Sequence, residues 1–410
     1  MAVGLLATAA LPQDLARKSF AGMITRLMPN GSAPLYALTS LLRDETALQI
    51  EHGYFSKTMI FPKVTLTAAA TSGATTLTID TSDTTQTTYA NLVNGDLLRN
   101  PTTGEIVMYS SIAGANITVK RNVGSNGAVA MSSGDVLYHV GNAFEEGSTR
   151  PSSVQIIAVR NTNYTQIFRN SWSVSKTLAA MPMIAGNGQV QESKQDCAAL
   201  HAMAIEKALF WGQKQLSTYN GNPFHTMDGI FATVAAQASS NITTIGASTT
   251  WTALEAALEK TLQTQTDPKG APIRTIFCGG VAKRTITNVA RLNSQYMIEQ
   301  DSTGRTTTEW GLQITTIHTP RGTFEVIDHP LFNAYGQANA LAATAVICDL
   351  DAINLAYLRK TEDMQYNNNG TPVDIGVDAQ GGTLTTELTM LIKNAAAFGI
   401  INNLTNPAQG

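Results

Sequence analysis

Charge is what this chain has least of. Only 14% of its 410 residues are Asp, Glu, Lys or Arg, and the formal net charge is −3. A chain with no basic excess has no electrostatic footprint for gripping a phosphate backbone, so tight nucleic-acid binding is not expected. Cysteine is scarce as well. Cys197, Cys278 and Cys348 are an odd, widely spaced set in apolar runs with no CxxC pair, which argues for reduced core residues and against zinc or a disulfide framework. No run approaches the roughly eighteen uninterrupted apolar residues of a membrane helix, so a soluble chain is expected. The apolar opening Met1 to Leu11 lacks the basic segment of a secretory signal, which disfavours export by that route. Internal repeats are absent, as are HExxH, GxSxG and the complete P-loop spacing.

What is present is globular: 43% hydrophobic residues over a length sufficient for two or three cores. Thr, Asn and Gly make the surface polar by hydroxyls and amides more than by ions. Such a surface suits a protein that packs against copies of itself.

The strongest local signal is a spine helix expected over Ser193 to Tyr219, with Ser193 and Asp196 as a capping box and Asn220, Gly221 and Pro223 as its stop. Cys197, Leu200, Ala204, Ala208 and Trp211 form one apolar stripe. Ala202, Ile205, Leu209, Gly212 and Leu216 form a second beside it. Ahead of it lie two short amphipathic helices, Gln13 to Leu27 and Ala33 to Glu45, each too small to bury its own face. Beyond Ile50 the chain reads as extended. From Thr65 to Tyr138 it becomes Thr-rich, with alternating runs at Thr75 to Ile79, Glu105 to Ser111, Asn116 to Arg121 and Val136 to Val140 between turn clusters. This pattern predicts a small antiparallel barrel or sandwich inserted into the tip of a longer hairpin. The returning strand, Val154 to Thr177, sets Tyr164, Phe168, Trp172 and Val174 on one parity, with Arg160 and Arg169 nearby. Two readings stand for that aromatic face: core within one chain, or burial against a neighbouring molecule.

After the spine, a compact α/β region is expected: helix Trp251 to Gln265, strand Ile273 to Cys278, helix Val281 to Leu292, strands Leu312 to His318 and Thr323 to Asp328, and a closing strand Thr344 to Cys348. Ile353 to Leu358 and Thr383 to Ile392 read as strands for the spine helix, followed by Ala395 to Leu404. His318, Asp328 and His329 bracket one hairpin, but their spacing matches no zinc pattern and a structural role is expected. Gly279-Gly280 before a helix with Lys283-Arg284 mimics a phosphate loop; a tight strand-to-helix turn explains it better. Glu145 and Glu146 are adjacent, so on a strand they face opposite ways and cannot converge as acid and base. An exposed bend and an intersubunit ion pair to Arg150, Arg160 or Arg169 remain equal alternatives.

The order of arm, hairpin with insert, spine helix, α/β domain and returning strands resembles the HK97-type major capsid protein of tailed phages. The run Gly141-Asn142-Ala143-Phe144-Glu145-Glu146-Gly147-Ser148, with Asn163-Tyr164-Thr165-Gln166-Ile167-Phe168-Arg169, is similar to the SU10-type major capsid family. Pro29-Asn30-Gly31-Ser32-Ala33-Pro34-Leu35 followed by Ala37-Leu38-Thr39-Ser40 supports it, and the similarity covers most of the chain. The resemblance implies an α+β, HK97-like fold: N-arm at 1–48, E-loop at 49–64 and 139–177, a β-rich insertion domain at 65–138, a peripheral domain at 178–223 and 349–410, and an axial domain at 224–348. It implies self-assembly into hexamers and pentamers of an icosahedral shell around double-stranded DNA, in a virion built in the host cytoplasm. No catalytic, metal or cofactor site is expected. Expected partners are copies of the chain, with a portal, a separate or dispensable scaffold, and a cement or decoration protein. Intersubunit contacts are expected at Phe20, Leu35, Phe61, Tyr164, Phe168 and Trp172, with Glu145, Glu146, Arg160 and Arg169 as charged contributors. A β-rich surface-layer or adhesin-like protein is the alternative, favoured by the Thr-rich block and opposed by the missing signal; a soluble α/β enzyme is a third reading, opposed by the lack of convergent catalytic residues.

Overall fold

The computed structural model describes residues 44–57, 62–82, 91–154, 158–182, 188–246, 249–264, 272–293, 316–336, 338–366 and 378–405. The expected helix Gln13 to Leu27, most of Ala33 to Glu45, and the contact residues Phe20, Leu35 and Phe61 lie outside them. The chain divides into two compact units, Phe55–Asn161 and Met1–Tyr54 with Thr162–Gly410. Strands β1 (Asp44–Thr46) and β2 (Glu51–Ser56) open the described part. Asp44 and Glu45 are therefore strand residues, where a helix was expected.

The unit Phe55–Asn161 is a barrel. Its strands are β3 (Lys63–Thr65), β4 (Thr76–Thr78), β5 (Asp96–Arg99), β6 (Ile106–Ala113), β7 (Asn116–Lys120) and β8 (Val136–Asn142), ordered β3-β8-β5-β6-β7-β4. The Leu66–Ile79 bridge, with Thr67 N–H donating to Thr78 O (3.0 Å) and Asp80 N–H to Thr65 O (2.9 Å), joins β3 to β4 and closes the sheet. Alternation does the rest: Val64, Leu66, Leu77, Leu98, Val107, Ile117, Val119 and Leu137 point inward and are buried. A buried ion pair ties the loops. Arg121 Nε and Nη2 donate to Glu105 Oε1 and Oε2, both at 2.7 Å, while the same guanidinium reaches the carbonyls of Thr71, Ala74 and Val129. Burial alone would raise the Glu105 carboxyl; Arg121 and the Val129 N–H more than offset it and hold it below the usual carboxylate range.

Strand β9 (Val159–Tyr164), which pairs with β2, runs across the division at Thr162, and β10 (Gln166–Ser175) follows it in the other unit. Helix α1 (Lys176–Ala180) follows, then the spine helix α2 (Gln189–Trp211). The spine starts and ends earlier than its sequence pattern suggests. Gly188 occupies the N-cap without a side-chain bond, Ser193 and Asp196 lie inside the helix, and Glu192 sits in the first turn where the helix dipole favours an anion. Its buried stripe is Cys197, His201, Ile205, Glu206, Leu209 and Phe210, whereas Leu200 is exposed. Residues 215–219, expected as its last turns, are not helical. They form strand β11 (Gln215–Tyr219), which pairs with β12 (Asn222–Thr226) in a hairpin.

Two sheets flank the spine's sequence. The first is ordered β1-β18-β19-β10, with β18 (Ile353–Tyr366) and β19 (Ala379–Ile392) antiparallel along most of their length. The strand expected to run in a two-stranded ribbon, β10, is thus a sheet edge paired with β19 from Gln166↔Leu388 to Ser175↔Ala379. The second sheet is ordered β13-β20-β17-β14-β16-β15: β13 (Ile242–Thr244), β14 (Ile273–Cys278), β15 (Thr316–Thr319), β16 (Gly322–Asp328), β17 (Ala345–Cys348) and β20 (Gly399–Asn402). Helices α3 (Ile230–Gln237), α4 (Trp251–Lys260), α5 (Gly280–Asn293) and α6 (Pro330–Asn333) connect them.

The middle strands of this sheet, β20, β17 and β14, are buried on both faces and so show no alternation of burial along their length. Phe277, Val346, Cys348 and Ile400 join one core with Ile205, Leu209 and Phe210, while Ile276, Cys278, Ala345, Ile347 and Ile401 join another with Leu254, Leu258 and Ile286. Gly399–Asn402 lies between β17 and β13, with Ile400 in the core shared with the spine helix and Ile401 in the other.

Candidate functional site

The described residues show surfaces and joints more than a reactive pocket. Among them, no group of three or more His, Cys, Asp or Glu could hold a metal ion. No helix of the described residues is long and apolar enough to cross a membrane. All three cysteines are free and buried; burial pushes the Cys278 thiol up to about 12 and raises those of Cys348 and Cys197 too. In the barrel unit a half-open cavity of about 330 Å³ is lined by Asp96, His139, Asn142 and Phe144, with His139 Nε2 3.5 Å from Asp96 Oδ1.

The histidines weighed in the sequence part company. His318 is exposed on β15, and its Nδ1 lies 3.3 Å from Thr323 Oγ1. His329 is wholly buried and meets Glu206 of the spine at 2.6 Å. Because Leu331 N–H donates to His329 Nδ1 (3.3 Å), the proton sits on Nε2 and is donated to the Glu206 carboxylate. Phe210, Phe277 and Phe332 surround the ring with edge contacts, centroids 5.1, 5.7 and 5.5 Å away. The pair is a joint between helix and sheet. Glu206 had no sequence motif to mark it: a carboxylate in a helical stripe is visible as buried only once its partner is placed. Asp328 accepts from Asn333 Nδ2 (2.7 Å), and Asn333 Oδ1 takes the Gly280 N–H (2.7 Å). The helix start after Gly279 thus has a donor already occupied by protein, consistent with a tight turn.

A second polar joint lies further back along the spine. His201 Nδ1 and Nε2 are 2.9 Å from Asn170 Oδ1 and 2.8 Å from Thr386 Oγ1, and Thr386 meets Thr361 at 2.8 Å. Burial lowers the His201 imidazole below its ordinary range.

The expected contact residues fall into three groups. Phe168 and Trp172 are buried within the chain, at 6% and 5% exposure, which corrects the expectation that a single chain cannot cover them. The reason is the register of β10 on β19: the even residues face the spine, Phe168 packs in a core with Ile205 and Leu209, and Trp172 lies over Gly382 beneath Lys194 Nζ (4.9 Å). A Cβ at Gly382 would sit 2.7 Å from the indole nitrogen, so the indole needs glycine there. Tyr164 is half-buried with Lys214 Nζ 4.6 Å above its ring. Glu145, Glu146, Arg160 and Arg169 are exposed, the two carboxylates in a turn and the two arginines on β9 and β10.

Among the described residues of the spine-helix unit, one exposed apolar feature is a hairpin whose first strand the sequence reading took for helix. Tyr219-Asn220-Gly221-Asn222 is a two-residue turn with φ of 50° and 77° at Asn220 and Gly221, the type I′ geometry that Asn-Gly favours. That dipeptide, read in the sequence as a helix stop, is a hairpin turn. The hairpin's base is clamped: Lys214 N–H donates to Asp228 Oδ1 (2.7 Å), Lys214 Nζ to Thr162 O (2.8 Å) and Thr226 Oγ1 to Gln213 O (2.6 Å), while His225 Nδ1 meets Thr165 O. Gly212 and Gly229 let the two backbones touch there, since a Cβ on Gly212 would lie 2.6 Å from the Ala208 and Met227 carbonyl oxygens. Beyond the clamp, Leu216, Tyr219 and Phe224 are 58%, 71% and 46% exposed.

A family model described as SU10 major capsid protein matches residues 7–405. A relative from Pseudomonas phage PaMx41, named "Major capsid protein", is 36% identical over 417 residues, covering 98% of this chain and 96% of its own. Among solved structures, one described as the capsid of a native GTA particle aligns over 98% of each chain at 10% identity with a TM-score of 0.48. A chain from Mycobacterium phage Cain aligns over 99% of this chain and 100% of its own at 9% identity with a TM-score of 0.47. Sequence similarity over nearly the full length leaves one assignment: the chain belongs to the SU10 major capsid protein family.

Proposed function

We propose that this chain is the major capsid protein of a tailed double-stranded DNA phage, with an HK97-like fold, and that it self-assembles into the hexamers and pentamers of an icosahedral shell. The observation that carries this reading is the 36% identity to a phage major capsid protein across 98% of the chain. The chemistry agrees. A mildly acidic, sparsely charged chain suits a container that holds DNA without gripping it. Function in such a protein is distributed over interfaces between copies. Residues 1–48 are its N-arm, 49–64 and 139–177 its E-loop, 65–138 an insertion domain, 178–223 and 349–410 the peripheral domain, and 224–348 the axial domain. Glu145, Glu146, Arg160 and Arg169, all exposed, are candidate ionic contacts between subunits. Portal, scaffold and decoration proteins are its expected partners, and the virion is its place.

Negative-stain electron microscopy with sedimentation of the full chain tests the reading. Closed shells, tubes or five- and six-fold rings are expected from the chain alone or co-expressed with the neighbouring reading frames. A chain that stays monomeric under both conditions overturns it.

A further inference from the structure

We infer that the hairpin β11–β12 is a contact between copies of this chain, its Tyr219 and Phe224 face seating on the uncharged surface of a neighbouring copy. This rests on the shell-forming reading above.

An isolated two-stranded ribbon in water is marginal, and this one contributes only His225 to the buried set of its own chain. It is nevertheless well specified. The Asn220-Gly221 turn sets its register, and the Lys214, Thr226 and His225 bonds fix where it leaves the body. A ribbon held out in one orientation has already lost the freedom that binding would otherwise remove. The pairing Ser217↔Phe224 and Tyr219↔Asn222 puts Tyr219 and Phe224 on the same face as diagonal neighbours, with Ser217 and Asn222 beside them. Residues 215–226 contain no Asp, Glu, Lys or Arg.

That composition chooses the occupant. A face without charge has nothing to offer phosphates or an ionic tail. Large aromatics ringed by hydroxyls and amides, with ions excluded, are the make-up of an interface centre. A second copy supplies a matching surface, because this chain carries only 14% charged residues throughout. In a shell every copy meets others, so one rigid apolar ribbon per chain is buried many times over.

Two experiments on the full chain decide it. With Tyr219→Ser and Phe224→Ser together, the unassembled protein should melt as wild type does, while the concentration needed for shells rises about tenfold or more. With Tyr219→Cys, the new thiol should react quickly with a maleimide in the dissociated chain and be protected in the shell; the native thiols are buried and raised, so they stay silent. Assembly at the wild-type concentration, or equal labelling in both states, overturns the proposal while leaving self-assembly intact. Protection that appears only when another virion protein is added also overturns it and gives the hairpin to that protein. Failure of the wild-type chain to form shells under any condition removes the shell reading itself, and this proposal with it.

Discussion

Strand β10 and the hairpin β11–β12 carry similar aromatic patterns and meet opposite fates. On β10, Phe168 and Trp172 are almost fully buried; on the hairpin, Tyr219 and Phe224 stand in solvent. Both segments alternate apolar with polar residues, both lack a charged residue on the aromatic face, and a single two-stranded pair would be marginal in either case. The difference is what the same chain lays over them. The spine helix crosses β10, and Gly382 on β19 leaves room for the indole, whereas beyond the clamp at Gly212 and Gly229 the rings of Tyr219 and Phe224 are left exposed. Period-two aromatics therefore announce that a face will be covered, and the covering element decides whether the contact is folding or assembly.

The comparison breaks most visibly at Trp172. Trp172→Ala removes a buried indole from between Lys194 and Gly382 and should lower the stability of the chain by about 3–5 kcal/mol, read as a fall in the thermal midpoint of unassembled protein. An unchanged midpoint with lost assembly would return Trp172 to the intersubunit class. The next largest effect tests the joint that holds the spine. Glu206→Ala leaves the His329 Nε2–H buried without an acceptor among three phenylalanines, a loss of about 2–3 kcal/mol. Glu206→Gln, which keeps an acceptor oxygen, should recover part of it; equal losses for the two variants would mean that packing, and not the hydrogen bond, is what Glu206 supplies.

Legibility followed the period of the pattern and the distance to the partner. The barrel was readable in part, where strands alternate between turns marked by Gly, Asn or Asp: Asn116–Lys120 and Val136–Asn142 fall where the alternation places them, whereas β3 and β5 were not among the runs read as strands. The α/β strands were readable as short apolar runs, Ile273–Cys278 among them. The spine's end was not, since Gln215 and Leu216 continue a helical composition and only the two glycines and the Asn-Gly turn, read together, say otherwise. Nor was the destination of Gly399–Asn402, because an apolar tetrapeptide does not say which sheet it completes. The capsid family was legible from local runs around Glu145 and Tyr164. The contact residues were less so, because whether Phe168 is covered by its own helix is a tertiary fact that strand parity does not contain.

Acid should separate the two regions by their polar groups. The folded chain holds His201 neutral, with its pKa depressed by burial, while the unfolded chain titrates near the ordinary 6.5. Between those values the unfolded state binds the extra proton. The stability His201 protects is therefore complete above about 6.5 and is lost progressively as pH falls below it, down to the folded pKa. Thermal melts between pH 7 and 5 should show that slope, and His201→Gln should flatten it while the hairpin variants leave it unchanged. A slope that survives His201→Gln belongs to other groups.

The smallest expected effect is the sharpest. Tyr219→Ser in the unassembled chain should alter stability by less than about 0.5 kcal/mol, because the ring is 71% exposed and no core contact is lost with it. The contrast with Trp172→Ala is then roughly tenfold in free energy for two aromatic residues on β-strands of one unit. Should Tyr219→Ser prove as costly as Trp172→Ala, the hairpin would be part of the chain's own fold, and the distinction between a face covered by folding and a face kept for assembly would fail at the position where it is drawn most clearly.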